Sequence, residues 1–286
     1  MSRPAPTGRD NRRVLLAIDV GNTQTHIGAF DGAELVEHWR FGTDAEATAD
    51  ELAIRVSNVL ALRELTLDGI DGSIVSSVVP ELTPEYGQMA SRYLEARHLS
   101  VVPGIKTGIA ILMDNPHELG ADRLVNAVAA YDRFGGPCAV VDFGTAITFD
   151  AISDRGEYLG GVIGPGVQIS MDALTERAAR LPKVDFSEPS GVIGRTTQAS
   201  LQSGMVYGFA GAIDAIARRI QIELGAETSF VATGGGAAAI VPYCDLIDEI
   251  DDLLTLRGLR LIWNMNKPSG LKAPPSDAGA SERGLR

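Results

Sequence analysis

Two stretches of this chain follow one plan, and that repeat limits the fold more than any other feature. Residues 14–30 read VLLAIDVGNTQTHIGAF. The apolar run 14–18 predicts a buried strand with Asp19 at its end. Val20, Gly21, Asn22 and Thr23 predict a tight turn, because Gly and Asn tolerate the backbone angles a turn needs. Residues 26–30 then return as a hairpin partner. Residues 139–152, AVVDFGTAITFDAI, repeat the plan with Asp142, Gly144, Thr145 and a second strand from Ile147. Taken alone, either stretch is equally an ordinary hairpin with a polar turn. As a distant pair, they predict two related half-domains facing a shared cleft. Each turn offers a carboxylate, backbone N–H groups and hydroxyls (Thr23 and Thr25 in the first), a concavity suited to a phosphate with its metal ion. A nucleotide held between two lobes fits that layout.

The rest of the chain is compatible with this plan. At 286 residues, 45% hydrophobic and 22% charged, it can bury a sizeable core as one large or two medium domains. A net charge of -12 argues against non-specific nucleic-acid binding, which needs a basic face. The two cysteines, Cys138 and Cys244, show no disulfide framework or metal-ligand cluster. No apolar run reaches the length of a membrane span, and no hydrophobic segment follows the N-terminal arginines. These features predict a soluble cytoplasmic protein with no membrane or nucleic-acid partner. Residues 1–13 and 267–286 lack periodicity and predict disordered tails.

Between and beyond the hairpins the pattern is mixed α/β. Strands are expected at 34–41, 72–79, 99–103 and 108–113, and helices at 45–62 and 83–99. In 114–131, DNPHELGADRLVNAVAAY, Gly120 precedes a strongly helical run, placing Asp122 and Arg123 in its first turn. An acid there already complements the helix dipole, whereas a cation is disfavoured, so Arg123 hints at a ligand. The second lobe is expected from about residue 137, with a third strand at 157–163 and a helix at 167–179. A Pro-containing loop at 181–193 is the segment expected to move. A long helix at 196–224 carries Gly204, Gly208 and Gly211, whose spacing permits close backbone approach. Residues 229–241, SFVATGGGAAAIV, predict strand, glycine turn and helix, a weak phosphate-binding signal by itself. An edge strand at 246–250 and a closing helix at 253–265 complete the chain.

With these pieces in place, the sequence resembles the type III pantothenate kinase family. The resemblance rests on Asp19-Val-Gly-Asn-Thr, Asp114-Asn-Pro, Gly120-Ala-Asp-Arg-Leu-Val-Asn-Ala, Asp142-Phe-Gly-Thr-Ala, Gly160-Gly-Val-Ile-Gly-Pro-Gly, Ile193-Gly-Arg-Thr-Thr, Gln202-Ser-Gly and Thr233-Gly-Gly, in that order. It covers roughly residues 14–266, and it departs from the commonest pattern at Met113, Ile147, Thr196, Gly236 and Ala237. It implies two actin-like (RNase H-like) lobes, 14–136 and 137–266, of the acetate and sugar kinase/Hsp70/actin superfamily. The implied reaction moves the γ-phosphoryl of ATP to the hydroxyl of pantothenate, the first step of coenzyme A biosynthesis. The implied enzyme is a homodimer needing Mg2+ or another divalent metal, and K+ or NH4+.

Carried over by residue, Asp19, Val20, Gly21, Asn22, Thr23, Gln24, Thr25 and His26 would form the ATP phosphate turn, with Asp19 near Mg2+. Thr145 would contact the ATP phosphates and Asp142 the monovalent cation. Gly120, Ala121, Asp122 and Arg123 would line the pantothenate site, with Asp122 accepting the hydroxyl proton. Thr197 would contact pantothenate at the dimer interface. Phosphoryl transfer asks a protein mainly for positioning and charge neutralisation, which this residue set can supply. A carboxylate base needs hydrogen-bond reach of the attacking oxygen, and Arg123 is suited to pairing with the pantothenate carboxylate. Two other readings share these motifs: another small-molecule kinase of the superfamily, and a non-catalytic ATP-binding regulator.

Overall fold

The computed structural model describes residues 14–267, except 179, 180, 183, 185 and 186. The two expected tails therefore lie outside the described residues, save Lys267, as do parts of the 181–193 loop. Two sheets dominate. The first has the order β3-β2-β1-β4-β5, built from β1 (Val14–Val20), β2 (Gln24–Asp31), β3 (Glu34–Gly42), β4 (Ile70–Ser77) and β5 (Arg97–Ser100). β1 pairs antiparallel with β2 and parallel with β4, so it is central and buried on both faces. That is why residues 14–18 read as a continuous apolar run rather than an alternating one.

The second sheet repeats the first. Its order is β11-β10-β7-β8-β9-β6, from β6 (Ala110–Ile111), β7 (Cys138–Phe143), β8 (Ala146–Ile152), β9 (Glu157–Pro165), β10 (Ser229–Thr233) and β11 (Glu249–Ile250). β7 is antiparallel to β8 and parallel to β10, as β1 is to β2 and β4. The repeat seen in the two hairpins thus extends to five strands on each side. β6 is the exception. It precedes the second hairpin in sequence yet pairs parallel with β9, adding a sixth strand to the second sheet.

Helices fill three layers. α1 (Ala49–Ala61) and α2 (Leu82–Tyr93) cover the outer face of the first sheet, where Leu52, Val56, Leu60, Leu82 and Tyr86 meet Leu16, Ile18 and Ile27. Thr48 and Glu51 form a reciprocal capping box that starts α1. α3 (Ala121–Phe134) lies between the sheets. Its Val125 and Val128 join Leu15, Ala17 and Ile74 of the first sheet, while Ala127 and Ala130 join Val140 and Tyr158 of the second. Beyond the second sheet, α4 (Val167–Arg177), α5 (Thr197–Leu224) and the short α6 (Ala237–Ile240) complete the outer layer, with Val206, Ala210 and Ile213 against Phe149 and Phe230.

The last helix, α7 (Leu254–Met265), also enters the middle layer. Gly258 permits this, since a Cβ there would lie 2.2 Å from the Val125 carbonyl oxygen of α3. Gly72 in β4 leaves room for Trp263, whose ring a Cβ would approach to 2.2 Å. The glycines of α5 behave differently. A Cβ at Gly204, Gly208 or Gly211 would meet nothing within 4 Å, so among the described residues they bring no helix close. Among the described residues, no helix is long and apolar enough to cross a membrane.

Candidate active site

The ends of β1 and β7 place two aspartates at equivalent positions. Asp19 sits opposite His26 of β2 and Ser76 of β4. Asp142 sits opposite Thr148 of β8 and Thr233 of β10. Both lie at the carboxyl ends of central strands, where open α/β sheets leave a crevice for ligands. α3 delivers the third carboxylate. Gly120 starts this helix with extended backbone, and Asp122 follows in the first turn. A Cβ on Gly120 would stand 2.5 Å from Asp122 Oδ1, so the glycine makes room for that carboxylate. The Asp122 Oδ1 accepts from the Arg123 N–H at 2.8 Å, which also satisfies a free donor at the helix start.

The three carboxylates share one electrostatic environment. Burial pushes Asp19 up to about 8, with Asp122 and then Asp142 adding like charge. Asp142 rises to about 7, again through burial first and then Asp122 and Asp150. Asp122 is also raised, by burial, against the opposing pull of the Arg123 N–H and guanidinium. Each residue keeps part of its surface exposed, yet the surrounding protein strips its carboxyl of water. Asp19 is the extreme case, because its Oδ1 is buried with no hydrogen-bond partner among the described residues. Ser76 beside it pulls its pKa slightly down, but the Ser76 hydroxyl likewise forms no bond of good geometry. An orphaned, buried carboxylate oxygen is costly unless a cation or proton meets it.

The two turns meet across the cleft. The hydroxyls of Thr23 and Thr145 lie 3.3 Å apart although 122 positions separate them in sequence. In each turn the first glycine N–H closes the loop, Gly21 onto the Gln24 carbonyl at 3.0 Å and Gly144 onto that of Ala146 at 3.1 Å. Thr25 does not join Thr23 at the opening, as the sequence reading expected. It is 1% exposed, and its hydroxyl pairs with that of Thr43 at 2.9 Å, which in turn donates to the Gly21 carbonyl. Thr25 lies within β2, next to the turn, so its side chain points into the packed side of the hairpin and braces the turn from behind.

Asp142 is supported where Asp19 is not. Asn126 of α3 donates its side-chain amide N–H to its Oδ2 at 3.3 Å, and the Thr255 hydroxyl of α7 donates to Asn126 Oδ1 at 2.7 Å. The glycine run after β10 closes on the same residue. Gly234 has φ +89, and a Cβ there would come within 2.4 Å of Asp142 Oδ1. Only glycine suits both that backbone and that approach.

Arg123 turns toward β8. Its Nε donates to Asp150 Oδ1 at 2.7 Å, and Asp150 is completely buried. Tyr158 of β9 donates its hydroxyl to the same carboxylate at 2.5 Å. Sequence reasoning singled out none of Asn126, Asp150, Tyr158 and Thr255. Asp150 carried a readable signal, an acid inside the apolar strand TFDAI. Thr255 carried none, since its partner is 129 residues away. Thr197 stands exposed at the start of α5, with no hydrogen bond to this cluster. Met113 packs against the buried cluster around Tyr158, and Thr196 caps α5 by accepting from the Ala199 N–H. The glycine-led α6 is only one turn long.

Comparison with known proteins places this geometry in context. A family model described as type III pantothenate kinase matches residues 15–219. A type III pantothenate kinase of Myxococcus xanthus is 49% identical over 256 residues, covering 90% of this chain and 100% of that protein. One from Moorella thermoacetica is 48% identical, covering 88% and 100%. Among solved structures, a Campylobacter jejuni protein assigned to the Baf family of transcriptional activators superposes with a TM-score of 0.56 at 21% identity, covering 88% of this chain and 98% of that one. The ethanolamine utilization protein EutJ of Carboxydothermus hydrogenoformans gives 0.52 at 12% identity, covering 91% and 92%. At such identities the structures speak to the fold alone, and they agree with a pair of actin-like, RNase H-like halves.

Proposed function

Because the chain belongs to the type III pantothenate kinase family, we propose that it transfers a phosphoryl group from ATP to pantothenate in coenzyme A biosynthesis, with the three-aspartate cleft as its active site. It is a kinase, and the family implies ATP as donor with a divalent metal. The observation that carries the site assignment is the convergence of Asp19, Asp122 and Asp142 beside the paired Thr23 and Thr145 hydroxyls. In this reading Asp122 is the base. Its raised proton affinity suits taking a proton from an alcohol, provided the acceptor hydroxyl lies within hydrogen-bond reach.

The donor set fits hard cations. The unpartnered Asp19 Oδ1 is an oxygen ligand in want of a positive charge, and Asp142 offers another carboxylate beside a glycine cradle. Among the described residues no three acidic, His or Cys side chains form a metal cage by themselves. A divalent ion here would share its ligands with phosphate oxygens, as Mg2+ commonly does. When bound, it offsets the charge of the triphosphate. We assign Asp19 to the divalent ion and Asp142 to K+ or NH4+. The turn 19–26, with Thr145, receives the ATP phosphates, Thr25 serving it from within. Gly120, Ala121, Asp122 and Arg123 face pantothenate.

A homodimer belongs to the same proposal. Ile163 and Ile193 are 66% and 89% exposed, and the α5 glycines face open space, which leaves apolar surface for a second copy carrying Thr197. So do the division into lobes at 14–136 and 137–266 and a cytoplasmic location. Asp122→Asn tests the site. It is expected to cost about 10²–10⁴-fold in kcat with the ATP KM little moved. A variant retaining wild-type kcat would remove Asp122 as the base.

A further inference from the structure

Arg123 is held along one edge only. Its Nε donates to Asp150 Oδ1 at 2.7 Å and its Nη2 reaches the Phe149 carbonyl oxygen at 3.4 Å. The Nη1 group has no partner among the described residues. The holding edge is elaborately built. Asp150 is fully buried, and it also accepts from the Tyr158 hydroxyl at 2.5 Å and the Thr148 hydroxyl at 3.4 Å. Gly161 lies opposite Asp150 in the β8–β9 register. A Cβ there would fall 1.8 Å from the Phe149 carbonyl oxygen and 2.7 Å from Arg123 Nη2, so no larger residue lets the guanidinium sit where it does.

A buried ion pair is an expensive way to stabilise a fold, since apolar residues of similar size often do as well. Its value lies in fixing a charged group in one orientation. A guanidinium is planar, and when one edge is fixed the other is aimed. Arg123 also adjoins Asp122, to whose Oδ1 its own N–H donates. We propose that Asp150, braced by Tyr158 and admitted by Gly161, is a positioning residue that holds Arg123 so that its open edge selects an acceptor bearing a carboxylate. The inference rests on the reading above that Arg123 faces the acceptor substrate.

The test compares pantothenate with its uncharged analogue, in which a primary alcohol replaces the carboxylate. The readout is the ratio of their apparent affinities, from Michaelis or competitive inhibition constants, in the wild type, R123A, D150A, D150N and Y158F. One charge-assisted hydrogen bond is worth about 10–100-fold in such a ratio. R123A should collapse the preference for the acid, and D150A should follow it. D150N, which keeps an acceptor for Nε, should retain an intermediate preference. The ATP KM should stay within about twofold throughout, because ATP makes no use of this edge. If R123A leaves the ratio unchanged, the reading of Arg123 fails. If R123A collapses it while D150A and D150N do not, Arg123 binds the acid but Asp150 does not position it. Should the Asp150 variants fail to fold, Y158F decides, since it keeps the ion pair and ring. A two- to threefold drop in preference supports the brace, and an unchanged ratio overturns it.

Discussion

The two aspartate-ending hairpins are built alike and furnished differently. β1 and β7 occupy the same place in their sheets, and Asp19 and Asp142 the same place on their strands. Yet Asp142 is bonded to Asn126, itself oriented by Thr255, while Asp19 Oδ1 is buried without a partner among the described residues. Backbone topology can be duplicated without duplicating the polar environment. The difference comes from α3 and α7 in the middle layer, whose Asn126 and Thr255 stand on the Asp142 side. The unsupported member is the one left dependent on a cation.

Asp122 stands between the hairpins and adds like charge to both. Beyond the large loss of kcat, Asp122→Asn should lower the titration points of Asp19 and Asp142, observable by NMR of their carboxyl carbons. Unmoved values would mean that the three groups do not form one cluster.

The next largest effect should separate the hairpins directly. Asp19→Asn removes an unsatisfied carboxylate, so it should abolish most activity yet stabilise the ligand-free protein by about 1–3 kcal/mol. That is a rise of roughly 2–8 °C in Tm for a protein of this size. Asp142→Asn should stabilise less, because Asn126 already meets that carboxylate. Equal gains would break the comparison. In the opposite sense, Asn126→Ala should destabilise by about 1 kcal/mol and weaken activation by monovalent cations, with Thr255→Val showing a milder version of both.

pH gives a smaller but cleaner contrast. A carboxyl whose folded pKa is raised contributes stability while protonated. That contribution is complete below the unfolded value of 3.8 and is lost as pH rises through the folded value. For Asp142 the loss should finish near 7, and for Asp19 near 8. The Tm of metal-free protein should therefore fall from pH 6 to 8.5, and less steeply in Asp19→Asn. Saturating Mg2+ with ATP should flatten the wild-type slope, because a cation replaces the proton. A slope indifferent to both changes would show that Asp19 is not the group involved.

How much of this was legible in the sequence follows the range of the interactions. The strand–Asp–Gly–Thr plan is local, and it foretold both hairpins and their meeting at a cleft, while the order of strands and helices foretold the mixed α/β class. The helix holding Asp122 was equally visible, because Gly120 and the periodicity after it lie within a dozen residues. The remainder depends on contacts no local pattern encodes. β6 was readable as a strand but not as a strand of the second sheet. Thr25 was readable as a turn hydroxyl, but the partner that turns it inward, Thr43, lies on the far side of β3. Arg123 was noticed as an odd cation at a helix start, while Asp150, which explains its orientation, sits 27 residues on in a strand of the second sheet.

The most direct measurement is ADP release from ATP in the presence of Mg2+ and K+, with and without pantothenate, alongside Asp122→Asn. The structure predicts release that depends on pantothenate and is lost in the variant while its ATP binding persists. Release independent of pantothenate, or none at all from folded protein, would contradict the assignment of this cleft as a pantothenate kinase site.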